Sequence, residues 1–132
     1  MEISIGEYVR LKNGKIIRFE KFGIYRTHTR KINGKYETGT FENKCIISGR
    51  CHYKYDNIVK HSKNIIDLIE QGDYVNGYKV LYVCNKEPCP SGKYVDIDCD
   101  KPSEESYFFE DEIKSIITKE QIKQIEFRIK EQ

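Results

Sequence analysis

The chain has 132 residues, 38 % of them hydrophobic and 33 % charged, with three Pro, nine Gly and no Trp. That is enough apolar residue for one compact domain or two very small units sharing a core, and too little Pro and Gly for a disordered or collagen-like chain. The net charge of +2 conceals an asymmetry: 14 Lys and Arg face 6 Asp and Glu before residue 64, and 9 face 15 after it, giving +8 and −6.

A basic half suits an anionic ligand, opposite halves suit head-to-tail attraction between subunits, and a solvated surface of uneven charge is the plain alternative. The N-terminal residues Met1 to Glu7 carry no basic region and no long apolar run. No stretch of the chain reaches the roughly 18 apolar residues of a membrane span. A cytoplasmic protein with no membrane partner is expected. Five Cys is an odd count, so free thiols are expected rather than a disulfide framework.

The first predicted element is a hairpin, Gly6-Glu7-Tyr8-Val9 followed by Asn13-Gly14-Lys15-Ile16. Asn-Gly between apolar runs signals a hairpin because both residues tolerate positive φ in a type I′ turn. Residues 22–36 contain another such turn, Asn33-Gly34, and read as a long basic hairpin. A short strand at Asp56-Asn57-Ile58-Val59-Lys60 leads to Ser62, which is placed to cap a helical turn near Ile65 to Ile69. The opening motif then returns as Gly72-Asp73-Tyr74-Val75, followed by Asn76-Gly77-Tyr78-Lys79-Val80. Residues 84–106 are richer in Pro and Gly, carry Asp96, Asp98, Asp100, Glu104 and Glu105, and are expected to be irregular. Asp111-Glu112-Ile113-Lys114 leads to Thr118 and Gln121, which fit a helical capping box. Ile125, Phe127 and Ile129 alternate as a strand would, whereas Ile122, Ile125 and Ile129 fit one helix face; a helix over 118–124 followed by a short strand is expected.

The two halves therefore repeat one plan of bent hairpin, short strand and helical turn. The expected fold is mainly β with short helices, arranged as two tandem SH3-like barrel or bent-hairpin units. A basic unit with an inserted hairpin covers residues 1–70, and an acidic unit ending in a short helix and strand covers 71–132.

Catalytic and metal signals are weak. Cys84 and Cys89 have the upper spacing of a zinc pair, but structural zinc wants four ligands and no matching second pair follows. Asp96-Ile97-Asp98-Cys99-Asp100 resembles the opening of a calcium loop, yet the sixth position is Lys101 where such loops need Gly. Cys51 and His52 are adjacent, so a strand sends them to opposite faces and they cannot act as a nucleophile–base pair. No phosphate-binding glycine loop, nucleophile elbow or metalloprotease motif occurs. No metal, no cofactor and no enzymatic activity are expected.

The best chemical signal is basic and aromatic. Tyr25, Arg26, His28, Arg30, Lys31 and Tyr36 lie on the predicted hairpin, and Arg50, His52, Tyr53, Lys54 and Tyr55 on a second segment. Strand alternation would put Arg26, His28 and Arg30 on one face. Arg grips phosphate with two parallel hydrogen bonds, and Tyr offers a ring for a base to stack on. The set suits a nucleotide, a nucleic-acid strand or an acidic protein; the plain alternative is an exposed charged hairpin beside core tyrosines.

The run IVKHSKNIIDLIEQGDYVNGYKV from Ile58, the opening Tyr8-Val9-Arg10 with Asn13-Gly14, and the closing Ile113-Lys114-Ser115-Ile116-Ile117-Thr118-Lys119-Glu120-Gln121 carry a resemblance. Together they resemble a family of small proteins of phages and prophages of Gram-positive bacteria. Residues 22–55 and 84–108 fall outside it. The resemblance implies a viral protein working in the host cytoplasm. Small accessory phage proteins without enzymatic motifs often counter bacterial immunity, some by sequestering nucleotide immune signals and others by binding CRISPR effectors.

The leading expectation is a phage anti-defence protein, a homo-oligomer that binds and sequesters a nucleotide signal without cleaving it. Its ligand-binding residues would be the hairpin set and Arg50, His52, Tyr53 and Tyr55. One alternative is an anti-CRISPR-type inhibitor that binds a host immune effector protein through its acidic segment. Another is a nucleic-acid-binding barrel.

Overall fold

The computed structural model describes residues 2–86, 92–99 and 106–131, with side chains as far as residue 125. Strand takes 53 % and helix 15 % of the described residues, so the molecule is mainly β. Strands β1 (Tyr8–Leu11) and β2 (Ile16–Arg18) form the first hairpin, and β3 (Lys21–Ile32) and β4 (Lys35–Ser48) a much longer one. Strand β5 (Cys51–Lys54), the 3₁₀ turn η1 (Tyr55–Asn57), β6 (Ile58–Ser62) and the 3₁₀ turn η2 (Ile65–Leu68) complete the first half. The second half runs β7 (Tyr74–Val75), β8 (Tyr78–Cys84), β9 (Tyr94–Ile97), β10 (Tyr107–Phe109), the 3₁₀ turn η3 (Glu110–Glu112), β11 (Ile116–Ile117) and helix α1 (Lys119–Glu131).

These strands make three antiparallel sheets, ordered β2-β1-β6, β3-β4-β5 and β10-β9-β8-β7-β11. None closes on itself, so the expected small barrels are open sheets among the described residues. Strand β9 lies inside the segment expected to be irregular. Cys89, Asp100, Lys101, Glu104 and Glu105, and the side chains of Phe127 and Ile129, lie outside the described residues.

The sequence repeat has an atomic counterpart. Gly6 and Gly72 adopt φ of 95° and 94°, the left-handed value that a type II turn requires at its third residue. Each turn is closed by the acid that follows: the Glu7 amide donates to the Ser4 carbonyl and the Asp73 amide to the Glu70 carbonyl, both at 3.1 Å. Each acid's carboxylate also accepts from the first amide of its turn, Ser4 or Glu70. The glycine amides bond the carbonyls of Phe19 and Val80, and those residues donate back to the carbonyls of Glu7 and Asp73. Two of the three Asn-Gly turns are type I′, with Asn33 and Asn76 both at φ 52°. The first is not. Asn13 stays out of the positive region, only Gly14 enters it at φ 88°, and the Asn13 side chain accepts from the Lys15 amide instead.

Apolar side chains of the strands gather in two cores. Val9, Leu11, Ile17, Phe19, Ile46 and Ile58 form one core with Ile3; Val75, Val80, Val95 and Ile97 form a second with Ile66 and Ile69. Burial of these apolar side chains is the main stabilising term, at roughly 1.5–3 kcal/mol for each one fully buried. Helix α1 continues unbroken to Glu131, which corrects the expected C-terminal strand. Residues 119–131 hold no Gly or Pro, and the sequence is rich in Lys, Glu and Gln, so propensity favours the helix. Half of the expected capping box forms, with the Thr118 amide donating to Gln121 Oε1 at 3.0 Å. The Thr118 hydroxyl is buried without a hydrogen-bond partner among the described residues. Ser62 does not cap η2, whose N-cap is Asn64; its hydroxyl accepts from the Asn64 amide and donates to Asp67.

A buried ionic node joins the two cores. Arg10 is 1 % exposed and Asp73 fully buried. The Arg10 guanidinium bonds both Asp73 oxygens, the Leu68 carbonyl and Glu120, while Glu70 lies 3.6 Å from its Nε. Asp73 also accepts from the first helical amide, that of Lys119, at 2.9 Å. Glu70 in turn meets Lys60 at 3.0 Å and Lys119 at 2.7 Å. Every charge in the node is thus matched, which a buried ion pair needs if it is not to destabilise the fold.

Candidate functional site

Strands β3 and β4 pair along their whole length, but β5 pairs only with Cys45 to Ser48. The remainder is a two-stranded ribbon standing clear of the cores, and every residue from 28 to 40 is exposed. The predicted long basic hairpin is therefore present. Its register shifts between Thr27 and Thr29, where an extra residue on β4 breaks the alternation. Arg30 lies over the ring of Phe41, the cross-strand partner of Thr27, at 4.2 Å.

The structure distributes the ten sequence-predicted residues along this ribbon and its base. At the tip, Arg30 pairs with Glu37 at 2.8 Å and Lys31 stands over the Tyr36 ring at 5.6 Å. Tyr36 is 76 % exposed. Arg26 faces Glu42 across the ribbon at 3.6 Å, and His28 is exposed. Arg50 lies in the exposed β4–β5 turn. His52 directs Nδ1 to the buried Cys45 thiol at 3.6 Å, a pairing the neighbouring Cys51 had obscured in the sequence. Tyr53 packs on the first core and takes a hydrogen bond from Lys15 at 2.9 Å, which raises the lysine's pKa.

Tyr25 and Tyr55 line one cleft among the described residues. It lies at the ribbon base, has a volume of about 390 Å³, and is completed by Glu42, Asn43, Lys44, Lys54 and Asp56. Lys54 stands 5.4 Å above the Tyr25 ring centre. A second concavity of about 420 Å³, lined by Glu2, Ile3, Ser4, Phe22, Lys44 and Tyr55, shares Lys44 and Tyr55 with the first. Burial pushes the Tyr55 phenol up, and the neighbouring Cys45 thiol adds to that. The phenol is thus held neutral, as an apolar ring with a hydrogen-bonding tip.

The Lys54 ammonium, two tyrosine rings and the Asn43 amide give this cleft a chemistry that none of the dispersed ribbon residues has alone, and Lys44, paired with Ile24 on the other face of the ribbon, lines it from that side. Lysines attract phosphate, tyrosines offer stacking surface, and an amide both donates and accepts. Glu42 and Asp56 would repel a bare anion and accept from amino or hydroxyl donors. Lys44 and Asn43 escaped the sequence reading because their place depends on cross-strand register. Counting back from the Asn33-Gly34 turn gives that register, but only to within the residue that the bulge inserts.

Among the described residues no group of three or more His, Cys, Asp or Glu side chains is placed to hold a metal ion. No helix there is long and apolar enough to cross a membrane. Comparison with protein-family models, with curated proteins and with solved structures found no match.

Proposed function

We propose that the protein is a non-catalytic binder of a phosphate-bearing nucleotide, held in the cleft at the base of the β3–β4 ribbon. The observation that carries this reading is the convergence of Lys44, Lys54, Tyr25, Tyr55 and Asn43 on one concavity of about 390 Å³. Phosphate oxygens meet Lys44 and Lys54, the base stacks against a tyrosine, and Asn43, Glu42 or Asp56 read polar edges of base or sugar. In the phage setting that the resemblance implies, such a protein sequesters a nucleotide immune signal. A second copy closing over the shallow cleft would supply the enclosure that tight sequestration needs. The matching Gly6–Glu7 and Gly72–Asp73 turns support the inference that the two halves descend from one small SH3-like unit.

Calorimetry of the full chain with cyclic dinucleotides and ADP-ribose derivatives tests the reading. Saturable binding with intact ligand recovered, weakened at least about tenfold by Lys44→Ala with Lys54→Ala, is the expected result. Absence of heat with every member of the panel, or binding indifferent to both lysines, contradicts it.

The ribbon itself favours a second reading. Lys21, Arg26, Arg30, Lys31, Lys35 and Lys44 outnumber Glu37 and Glu42 on it, and a two-stranded ribbon fits the major groove of duplex DNA. Binding of this kind would fall steeply with salt, and no mobility shift of duplex DNA at low salt would dismiss it.

A further inference from the structure

The outer face of the second half's sheet is aromatic where solvent-facing strands are usually polar. Alternation sends Val95 and Ile97 into the second core, and Phe108 packs against it. Their neighbours face outwards. Tyr94 is paired with Phe109, and Asp96 with Tyr107 on one side and Tyr82 on the other. All of these side chains are half-buried except Tyr82, which is 57 % exposed.

The rings do not lie flat as a hydrophobic plaster over the sheet. Tyr94 and Tyr107 meet at 62°, Tyr94 and Phe109 at 78°, and Tyr107 and Phe109 at 82°, with centroids 5.2–6.3 Å apart. They stand as walls meeting in a corner. Together with Asp96 they line a concavity of about 280 Å³. Aromatic faces carry negative quadrupole density, and a carboxylate adds a full charge beside them. Lys93, next to Tyr94 in the chain, is engaged by Asp67 at 3.1 Å. Asp98, Glu110, Asp111 and Glu112 follow nearby in a half whose net charge is −6, so the surrounding field attracts cations.

We propose that this corner is a second binding site, separate from the nucleotide cleft, that accepts an organic monocation, an alkylammonium or guanidinium head group. The head group enters with its positive charge over the faces of Tyr94, Tyr107 and Phe109 and beside the Asp96 carboxylate. A bare metal ion does not suit it, because one carboxylate among aromatic rings offers too few oxygen ligands. An anion or a neutral hydrocarbon gains nothing from Asp96.

The test is an NMR titration of the full chain with choline and with 3,3-dimethylbutanol, its neutral carbon isostere. The site predicts saturable shifts of the Tyr94, Tyr107 and Phe109 resonances with choline and none with the alcohol. Asp96→Asn should weaken choline at least about fivefold, and Tyr107→Leu, which keeps apolar area but removes a ring face, by a similar factor. Two variants with unchanged folded spectra guard against misreading a loss of fold. A peptide carrying trimethyllysine or arginine at its centre forms the other arm. Tighter binding of the peptide assigns the cation to a protein partner, and tighter binding of choline to a free small molecule; both support the site. Equal shifts with the neutral isostere, no saturable shift with any cation, or affinity unchanged in Asp96→Asn would overturn it.

Discussion

Arg10 on β1 and Asp73, 63 residues later, form a bidentate ion pair with Nη1–Oδ2 at 2.5 Å and Nη2–Oδ1 at 3.0 Å, both side chains out of contact with solvent. The pair links the strand of one core to the turn and helix start of the other. Replacing one partner leaves the other's charge buried. Arg10→Met should therefore lower unfolding free energy by about 3–5 kcal/mol, read from the urea midpoint. The double replacement Arg10→Met with Asp73→Asn should cost less than the sum of the single changes. Additive losses would mean that the two groups are not coupled.

Glu70 predicts how stability responds to acid. Burial pushes its carboxyl up, but hydrogen bonds from Lys119 and Lys60 and the charge of Arg10 outweigh that and hold it at about 2, below the ordinary 4.5. A depressed folded pKa means that the unfolded chain binds the proton more readily. The stabilisation is therefore complete above pH 4.5 and is lost as pH falls from 4.5 towards 2. Thermal melts across that window should show a decline that Glu70→Gln largely removes. An identical decline in the variant would assign acid sensitivity to other carboxylates.

Gly14 is a steric contact between the halves. A Cβ there would lie 2.1 Å from Thr118 Oγ1 and 2.8 Å from Glu120 Cβ, and the residue's φ is 88°. Gly14→Ala should destabilise by more than about 1 kcal/mol, from the left-handed backbone alone and then from the clash. Gly77→Ala makes the comparison: its φ is 87° but nothing lies within 4 Å of its added methyl. Equal losses at the two positions would show that Gly14 is constrained by backbone conformation only.

The parts legible in the sequence were those set by neighbours in the chain. Asn33-Gly34 and Asn76-Gly77 announced type I′ hairpins, and Gly6-Glu7 and Gly72-Asp73 a repeated turn. Asn13-Gly14 had the same letters but a different turn, because its side chain rather than its backbone takes the bend. The helical and strand periods at Ile125 overlapped, and no local signal separated them. What depended on distant residues was hidden. Arg10 sits between Val9 and Leu11 in a strand, and nothing nearby tells that its charge is answered by Asp73 and Glu120. The bulge after Thr27 shifted the pairing at the ribbon's tip by one residue, and the register decided that Asn43, not Arg30 or Lys31, stands across from Tyr25.

The central claim is that the cleft of Tyr25, Lys44, Lys54 and Tyr55 captures a nucleotide signal and keeps it intact. Native mass spectrometry tests it most directly, on the protein purified from cells in which nucleotide-signalling immunity is switched on. The account predicts a discrete nucleotide-sized adduct at fixed stoichiometry, released unchanged by heating and absent from the Lys44→Ala, Lys54→Ala variant. A bare protein mass from those cells, or an adduct that persists without the two lysines, would contradict it.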